Sequence, residues 1–333
     1  TAVSQDILAS DDAYRQLLVR EFNQITPENS MKWEFVHPGH NQWRFDPVDR
    51  LVEFAEDNDM RVRGHTLVWH LQLPAWVPEI SDPSRLRSVM REHIAAVVGR
   101  YEGRVFAWDV VNEGIADDGS GLKSTLFLER LGPEYIADAF RTAHKADPEA
   151  LLFFNDYEIA ELGPKSDALF SLIGDLLARD VPVHGVGMQL HVNAANPRDL
   201  QSFAANVRRF EALGLYVDIT EMDVRIRDLQ LSASDSRRRQ ARTYYDLVTT
   251  RLELPGLTSI SLWGFTDAYS WIDQFYGADD PLLFTENLAP KPAYYGLHRA
   301  LANAALRRAP NKAPATETKP DTARYNAAAG EIH

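Results

Sequence analysis

The chain has 333 residues, 45% of them hydrophobic and 25% charged, which is the balance of a soluble globular protein with a sizeable core in one large domain or two ordinary ones. A formal net charge of -13 argues against a nucleic-acid or anionic-membrane surface, since both need clustered Lys and Arg, and it is compatible with a neutral polymer as partner. The absence of cysteine excludes disulfides, thiolate metal sites and thiol nucleophiles, and no apolar run approaches the roughly 20 residues of a membrane span.

Taken in chain order, short apolar or β-branched runs predict strands at Ala2–Ser4, Phe22–Thr26, Val62–Val68, Val105–Val111, Leu151–Phe154, Gly185–Leu190, Tyr216–Thr220 and Ser259–Trp263. Between them lie stretches of helical period, such as Leu86, Met90, Ile94 and Val97, or Leu200, Phe203, Val207 and Phe210. Asp46-Pro47, Asp82-Pro83 and Asn196-Pro197 predict helix starts, because the acidic or amide side chain can cap exposed N–H groups and proline loses no bond at the first position. Eight strands alternating with helices predict a single-domain (β/α)8 TIM barrel over residues 1–303. No G-x-G-x-x-G or Walker pattern supports the alternative of a doubly wound sheet. From residue 304 to 333 the composition shifts to Ala, Pro, Thr, Lys and Arg without periodicity, which predicts a flexible tail or linker stub.

In a parallel barrel the residues at the C-terminal ends of the strands face one mouth. The third strand ends in Gly64-His65-Thr66-Leu67-Val68-Trp69-His70, the fourth in Asn112-Glu113, and the fifth in Asn155-Asp156-Tyr157. The sixth ends in Gln189-Leu190-His191, the seventh in Thr220-Glu221-Met222-Asp223, and the eighth in Trp263-Gly264. Glu113 and Glu221 therefore point to the same mouth, and a carboxyl pair is what glycoside hydrolysis requires. Trp33, Trp69, Trp263 and Trp271 fall at or just after strand ends, where indole faces can stack on sugar rings, whereas Trp43, Trp76 and Trp108 read as core. His65, His70 and His191 are the one trio that could meet on a metal, but no H-x-H or H-E-x-x-H spacing supports a site, so neither metal nor cofactor is expected.

With these residues in hand, the chain resembles the glycoside hydrolase family 10 endo-β-1,4-xylanases. The resemblance is carried by Thr1-Ala2-Val3, Thr26-Pro27-Glu28-Asn29-Ser30-Met31-Lys32-Trp33, Arg63-Gly64-His65-Thr66-Leu67-Val68-Trp69-His70 and Trp108-Asp109-Val110-Val111-Asn112-Glu113. It continues through Phe154-Asn155-Asp156-Tyr157, Gly187-Met188-Gln189-Leu190-His191, Ile219-Thr220-Glu221-Met222-Asp223, Trp263-Gly264-Phe265-Thr266-Asp267 and Lys291-Pro292-Ala293-Tyr294. These segments span about nine-tenths of the chain in order.

The resemblance implies a (β/α)8 barrel that hydrolyses internal β-1,4 bonds of xylan with retention, Glu113 serving as acid/base and Glu221 as nucleophile. Retention requires the two carboxyl groups to lie about 5–5.5 Å apart. By the same resemblance Asn112 bonds the 2-hydroxyl of the reacting sugar, His191 bonds the nucleophile, and Asp223 holds that histidine. Glu28, Asn29, Lys32, His65, Trp69 and Gln72 are implied as glycone-side binders. Tyr157 and Gln189 are implied near the cleavage point, and Trp263 and Trp271 as walls that exclude the CH2OH group of a hexose. A β-1,4-glucanase, a hydrolase of short xylosides and a non-catalytic sugar-binding barrel are the rival readings. The partners implied are xylan and xylo-oligosaccharides, for a monomer located outside the cell. The sequence departs from the family pattern at Glu158-Ile159-Ala160, which unsettles the aglycone-side contacts, and at His37, where an acidic residue is common.

Overall fold

The computed structural model describes residues 1–308 of the chain. Its strands are β1 (Ala2–Val3), β2 (Gln24–Pro27), β3 (Arg61–Val68), β4 (Ala107–Asn112), β5 (Leu151–Asp156), β6 (Gly185–Met188), β7 (His191–Asn193), β8 (Tyr216–Arg225) and β9 (Ile260–Leu262). The ladders between them are parallel, in the order β1-β2-β3-β4-β5-β6-β8-β7, with β9 also on β8. The strand β7 continues β6 past a break at Gln189-Leu190, since β6 pairs with the first half of β8 and β7 with the second. The predicted eight staves are thus present. Side chains bridge the last stave to the first two: Thr1 Oγ1 reaches Leu262 O at 3.4 Å, and Gln24 Nε2 of β2 donates to Ser261 Oγ at 3.2 Å.

The two helical faces read from periodicity pack inward. Leu86, Met90, Ile94 and Val97 are buried on the helix Pro83–Arg100, as are Phe203, Val207 and Phe210 on Leu200–Glu211. Asp82 caps the first by accepting from Ser84 N–H at 3.0 Å. A helix does start at Asp46-Pro47, but Asp46 is its first residue and not its cap, and Phe45 before it makes no side-chain cap bond. The third expected start needs correction. No helix begins at Asn196, whose N–H is used by Asn193 O in a turn; Asp199 caps the following helix instead, accepting from Gln201 and Ser202 N–H. The terminal helix runs Pro292–Arg308, so the boundary expected at 304 falls within it. Alanine favours the helical state, and Ala300 and Ala304, one turn apart, are both buried. Residues 309–333, the rest of the predicted tail, lie outside the described residues.

The barrel interior is tied together by Arg63 of β3, which is fully buried. Its Nη2 and Nε donate to Asp109 of β4 at 2.5 and 3.1 Å, and its Nη1 to Asp218 of β8 at 3.1 Å. Asp218 also accepts the backbone N–H groups of Thr258 and Ser259, at 2.8 and 3.0 Å, and so positions the entry to β9. Next to Arg63, Gly64 makes room for the buried Trp108, whose ring would lie 2.1 Å from a Cβ at that position.

A stack of rings lies between the helices Trp33–Val36 and Pro83–Arg100. Trp33 lies 4.0 Å from His93 with nearly parallel planes, and His37 lies 3.8 Å from Trp43. His93 is fully buried with neither ring nitrogen hydrogen-bonded, and burial holds its pKa well below the ordinary 6.5.

Two outcomes follow from this interior. Arg63→Met strands two buried carboxylates and should cost about 3–5 kcal/mol, read as a lower urea midpoint at unchanged slope. An unchanged midpoint would contradict the tether. His93 refuses in the folded state a proton that the unfolded chain accepts below about pH 6.5. Its contribution to stability is therefore present above that pH and lost below it. His93→Phe should accordingly show a shallower fall of unfolding free energy with acid, by up to about 1.4 kcal/mol per pH unit. Parallel pH profiles for variant and parent would refute this.

Candidate active site

Glu113 follows directly on β4 and Glu221 lies within β8, and both reach the same mouth. The backbone is irregular at both places. Glu113 has a positive φ of 56°, a strained conformation for a residue with a side chain, and its N–H is held by Asn155 O at 2.8 Å. Along β8, Ile219 and Met222 oppose Ile260 and Leu262 of β9, so β8 carries one extra residue there. This is why Thr220 and Glu221, adjacent in sequence, both bond Asn155, which strict alternation of side chains would forbid. Similar shifts occur in β3 between His65 and Val68 and in β4 between Asp109 and Val111.

Each carboxylate has its own set of donors. Glu113 Oε2 accepts from Trp69 Nε1 at 2.9 Å, and Oε1 from Gln189 Nε2 at 3.1 Å and Asn112 Nδ2 at 3.4 Å. Glu221 Oε1 accepts from Asn155 Nδ2 at 2.7 Å, and Oε2 faces His191 Nε2 at 3.2 Å. Amides link the two halves: Asn112 Oδ1 accepts from both Asn155 Nδ2 at 2.8 Å and Gln189 Nε2 at 3.3 Å. A continuous run of side-chain hydrogen bonds thus joins one glutamate to the other.

The electrostatics favour an ionised Glu221. Burial pushes its carboxyl upward, but the bond from His191 and the fields of His65 and His191 outweigh that and leave its pKa below the usual 4.5. Burial also opposes charge on His191, yet Asp223 at 2.7 Å and Glu221 together raise its pKa to about 10. At neutral pH it is therefore an imidazolium that donates from both nitrogens. Trp271 Nε1 donates to the same Asp223 oxygen at 2.9 Å and fixes the tryptophan at the rim. His65 is held from below, its Nδ1 lying 3.0 Å from Asp109 Oδ2. Among the described residues no group of three His, Cys, Asp or Glu is spaced to hold a metal ion.

The expected glycone-side residues come together. Lys32 Nζ donates to Asn29 Oδ1 at 3.0 Å and sits 5.0 Å from the Trp69 ring and 5.8 Å from that of Trp263. Gln72 Nε2 donates to the same Asn29 oxygen at 3.3 Å. Burial lowers the Lys32 pKa, while Glu221, Glu28 and Glu113 act in the opposite sense. Burial raises the Glu28 pKa against the pull of Lys32. Trp263 packs edge-on against His65 at 5.0 Å. Trp33 is the exception: its short helix turns the ring away from the mouth into the stack with His93, so it is not a sugar platform.

After β5, the Tyr157 hydroxyl is hydrogen-bonded to Lys123 Nζ at 2.7 Å and to Asp117, and Lys165 Nζ lies 3.3 Å over its ring. Lys123 and Asp117 come from the loop after β4. They occupy the side where the sequence departs from the family pattern; Glu158 itself turns away to Arg198, and Ile159 and Ala160 are buried.

Several residues essential to this arrangement had no role in the sequence reading. Asn155 is the most important, a buried amide that donates to both Asn112 and Glu221. Gly187 makes room for it: a Cβ there would meet Asn155 Oδ1 at 2.3 Å. Arg63 and Asp109, which support His65, were likewise quoted only as parts of motifs. The available signal was position, since Asn155 lies near the C-terminal end of β5, beside the strand that Glu113 follows.

The glycosyl hydrolase family 10 model matches residues 1–300. Endo-1,4-beta-xylanase B of Thermotoga neapolitana is 40% identical over 298 residues, covering 88% of this chain and 85% of that protein. The crystal structure of xylanase 10B from Thermotoga maritima superposes with a TM-score of 0.89 at 41% identity, over 92% of this chain and 95% of that one. That of xylanase 10B from Thermotoga petrophila in complex with xylobiose gives 0.87 at 41% identity, over 91% and 93%. A barrel with two glutamates at one mouth, matched over almost all of its described length by these proteins, belongs to glycosyl hydrolase family 10.

Proposed function

We propose that the protein is an endo-1,4-β-xylanase that retains anomeric configuration. The observation that carries this reading is the pair of unlike environments at one mouth: Glu221 is buried and held as a carboxylate by His191 and Asn155, while Glu113 is held by Trp69 and Gln189 across the amide run. Glu113 gives its proton to the glycosidic oxygen as that bond breaks, and Glu221 forms a bond to the anomeric carbon, giving a covalent glycosyl-enzyme. The leaving chain departs with the proton. Glu113 then removes a proton from water as its oxygen attacks the same carbon, and Glu221 is released as a carboxylate.

The neighbours supply selectivity and orientation. Asn112 Oδ1 is taken by two amide donors and one N–H of its Nδ2 faces Glu113, so the second N–H is the group available to a sugar hydroxyl. Trp263 and Trp271, both anchored by contacts to site residues, would crowd a CH2OH group and so favour xylose over glucose. Xylan and xylo-oligosaccharides are the substrates in this reading. A monomer as the working unit is part of this reading, and the size of a wall polymer supports a location outside the cell.

Glu221→Ala should abolish turnover of xylan while xylo-oligosaccharides still bind, and substantial residual activity would remove Glu221 from the nucleophile role. Glu113→Gln should lower kcat by about 100- to 10,000-fold on unactivated xylan. Followed by NMR, the first product should carry the β configuration; an α product would mean inversion. Removing the imidazolium in His191→Asn leaves burial as the dominant influence on Glu221, so the acid limb of the kcat/KM profile should move to higher pH. A limb that stays in place would show that His191 does not set the ionisation of the nucleophile. Initial rates on xylan should exceed those on carboxymethylcellulose, and the reverse order would favour the glucanase reading.

A further inference from the structure

On the same face of the barrel, the loops following β1 and β2 enclose a cavity of about 170 Å3, lined in part by Gln5, Asp6, Asn29, Ser30, Phe35 and Arg44. Asn29 is a shared wall. Its Oδ1 is occupied by Lys32 and Gln72, which ties the cavity to the glycone end of the cleft.

The cavity holds unused bonding capacity of three kinds. Ser30 Oγ and Gln5 Oε1 are buried and have no hydrogen-bond partner, an arrangement that buried polar atoms seldom tolerate without a ligand or water. Arg44 is exposed, and among the described residues its guanidinium makes no ion pair. Its backbone N–H is fixed to Val36 O at 2.8 Å, which sets it beside the short helix that carries Phe35. Phe35 is 38% exposed. Asp6, exposed at the rim, can only accept hydrogen bonds when ionised.

These groups match one kind of ligand. A guanidinium fork suits a carboxylate, an open phenyl face suits a sugar ring, and the Ser30, Gln5 and Asp6 oxygens suit ring hydroxyls. We propose that this cavity is a second carbohydrate site, which takes a uronic acid branch carried by the xylan chain on its glycone side, with Arg44 pairing to the carboxylate and Phe35 lying against the ring. The inference rests on the xylanase reading for its connection to the cleft. The cavity itself, outside the catalytic set, recognises the acid.

The test uses titration calorimetry on the Glu221→Ala protein with two xylo-oligosaccharides of equal length, one plain and one bearing a glucuronic acid branch on a glycone-side ring. The branched ligand should bind more tightly. Arg44→Gln should weaken it about tenfold and leave the plain one unchanged, and added salt should weaken only the branched ligand. Phe35→Ala should weaken the branched ligand several-fold. Equal affinity for the two ligands overturns the proposal. So does an equal loss on both in Arg44→Gln, which would make the cavity a site for neutral sugar. Hydrolysis of the plain oligosaccharide by the protein with Glu221 intact is a separate reading: its absence overturns the xylanase assignment, while the calorimetric comparison still decides whether the cavity recognises the acid.

Discussion

Arg63 and its two carboxylates are the constraint on which the rest of this barrel depends. A buried guanidinium between Asp109 and Asp218 fixes β3, β4 and β8 relative to one another in the interior, just below the level of the chemistry. Such a cluster is costly to desolvate and gives little net stability, but its planar fork leaves few alternative arrangements. Asp109 passes the constraint upward by holding His65, which in turn helps keep Glu221 ionised. Stability, strand register and the charge of Glu221 are therefore coupled through one side chain.

Above that layer the mouth is shaped by departures from regular structure. Extra residues in β3, β4 and β8 and the left-handed backbone at Glu113 turn side chains that a regular pleat would send outward. These irregularities persist because the groups that they bring together are hydrogen-bonded to each other. The backbone of Glu113 is secured by Asn155, whose amide also secures Glu221.

The parts of this molecule that were legible in the sequence are those governed by local pattern. Eight apolar runs between helical periods disclosed the staves, and the mouth followed because strand ends in a parallel barrel converge. The bulges were not legible, because a one-residue insertion in a short apolar strand leaves no mark on its composition. Trp33 was misplaced for a related reason: proximity to a strand end does not say which way a four-residue helix will turn its ring. Asn155 was visible but mute, since its role is defined by contacts to residues 43 and 66 positions away. The Ala-rich end of the last helix reads as tail because its buried residues there, Ala300 and Ala304, show little hydrophobic contrast with their neighbours.

Asn155 has spent both of its amide donors on neighbours: Nδ2 serves Asn112 and Glu221, and Oδ1 takes the hydroxyl of Thr220. The missing side chain of Gly187 provides the space in which that amide sits. These positions therefore form one unit: a change of size or polarity at any of them leaves a buried partner displaced or unpaired. An exposed side chain such as Arg44 can be exchanged without that penalty, so the freedom to redesign this barrel lies at the rim and little of it in the layer beneath.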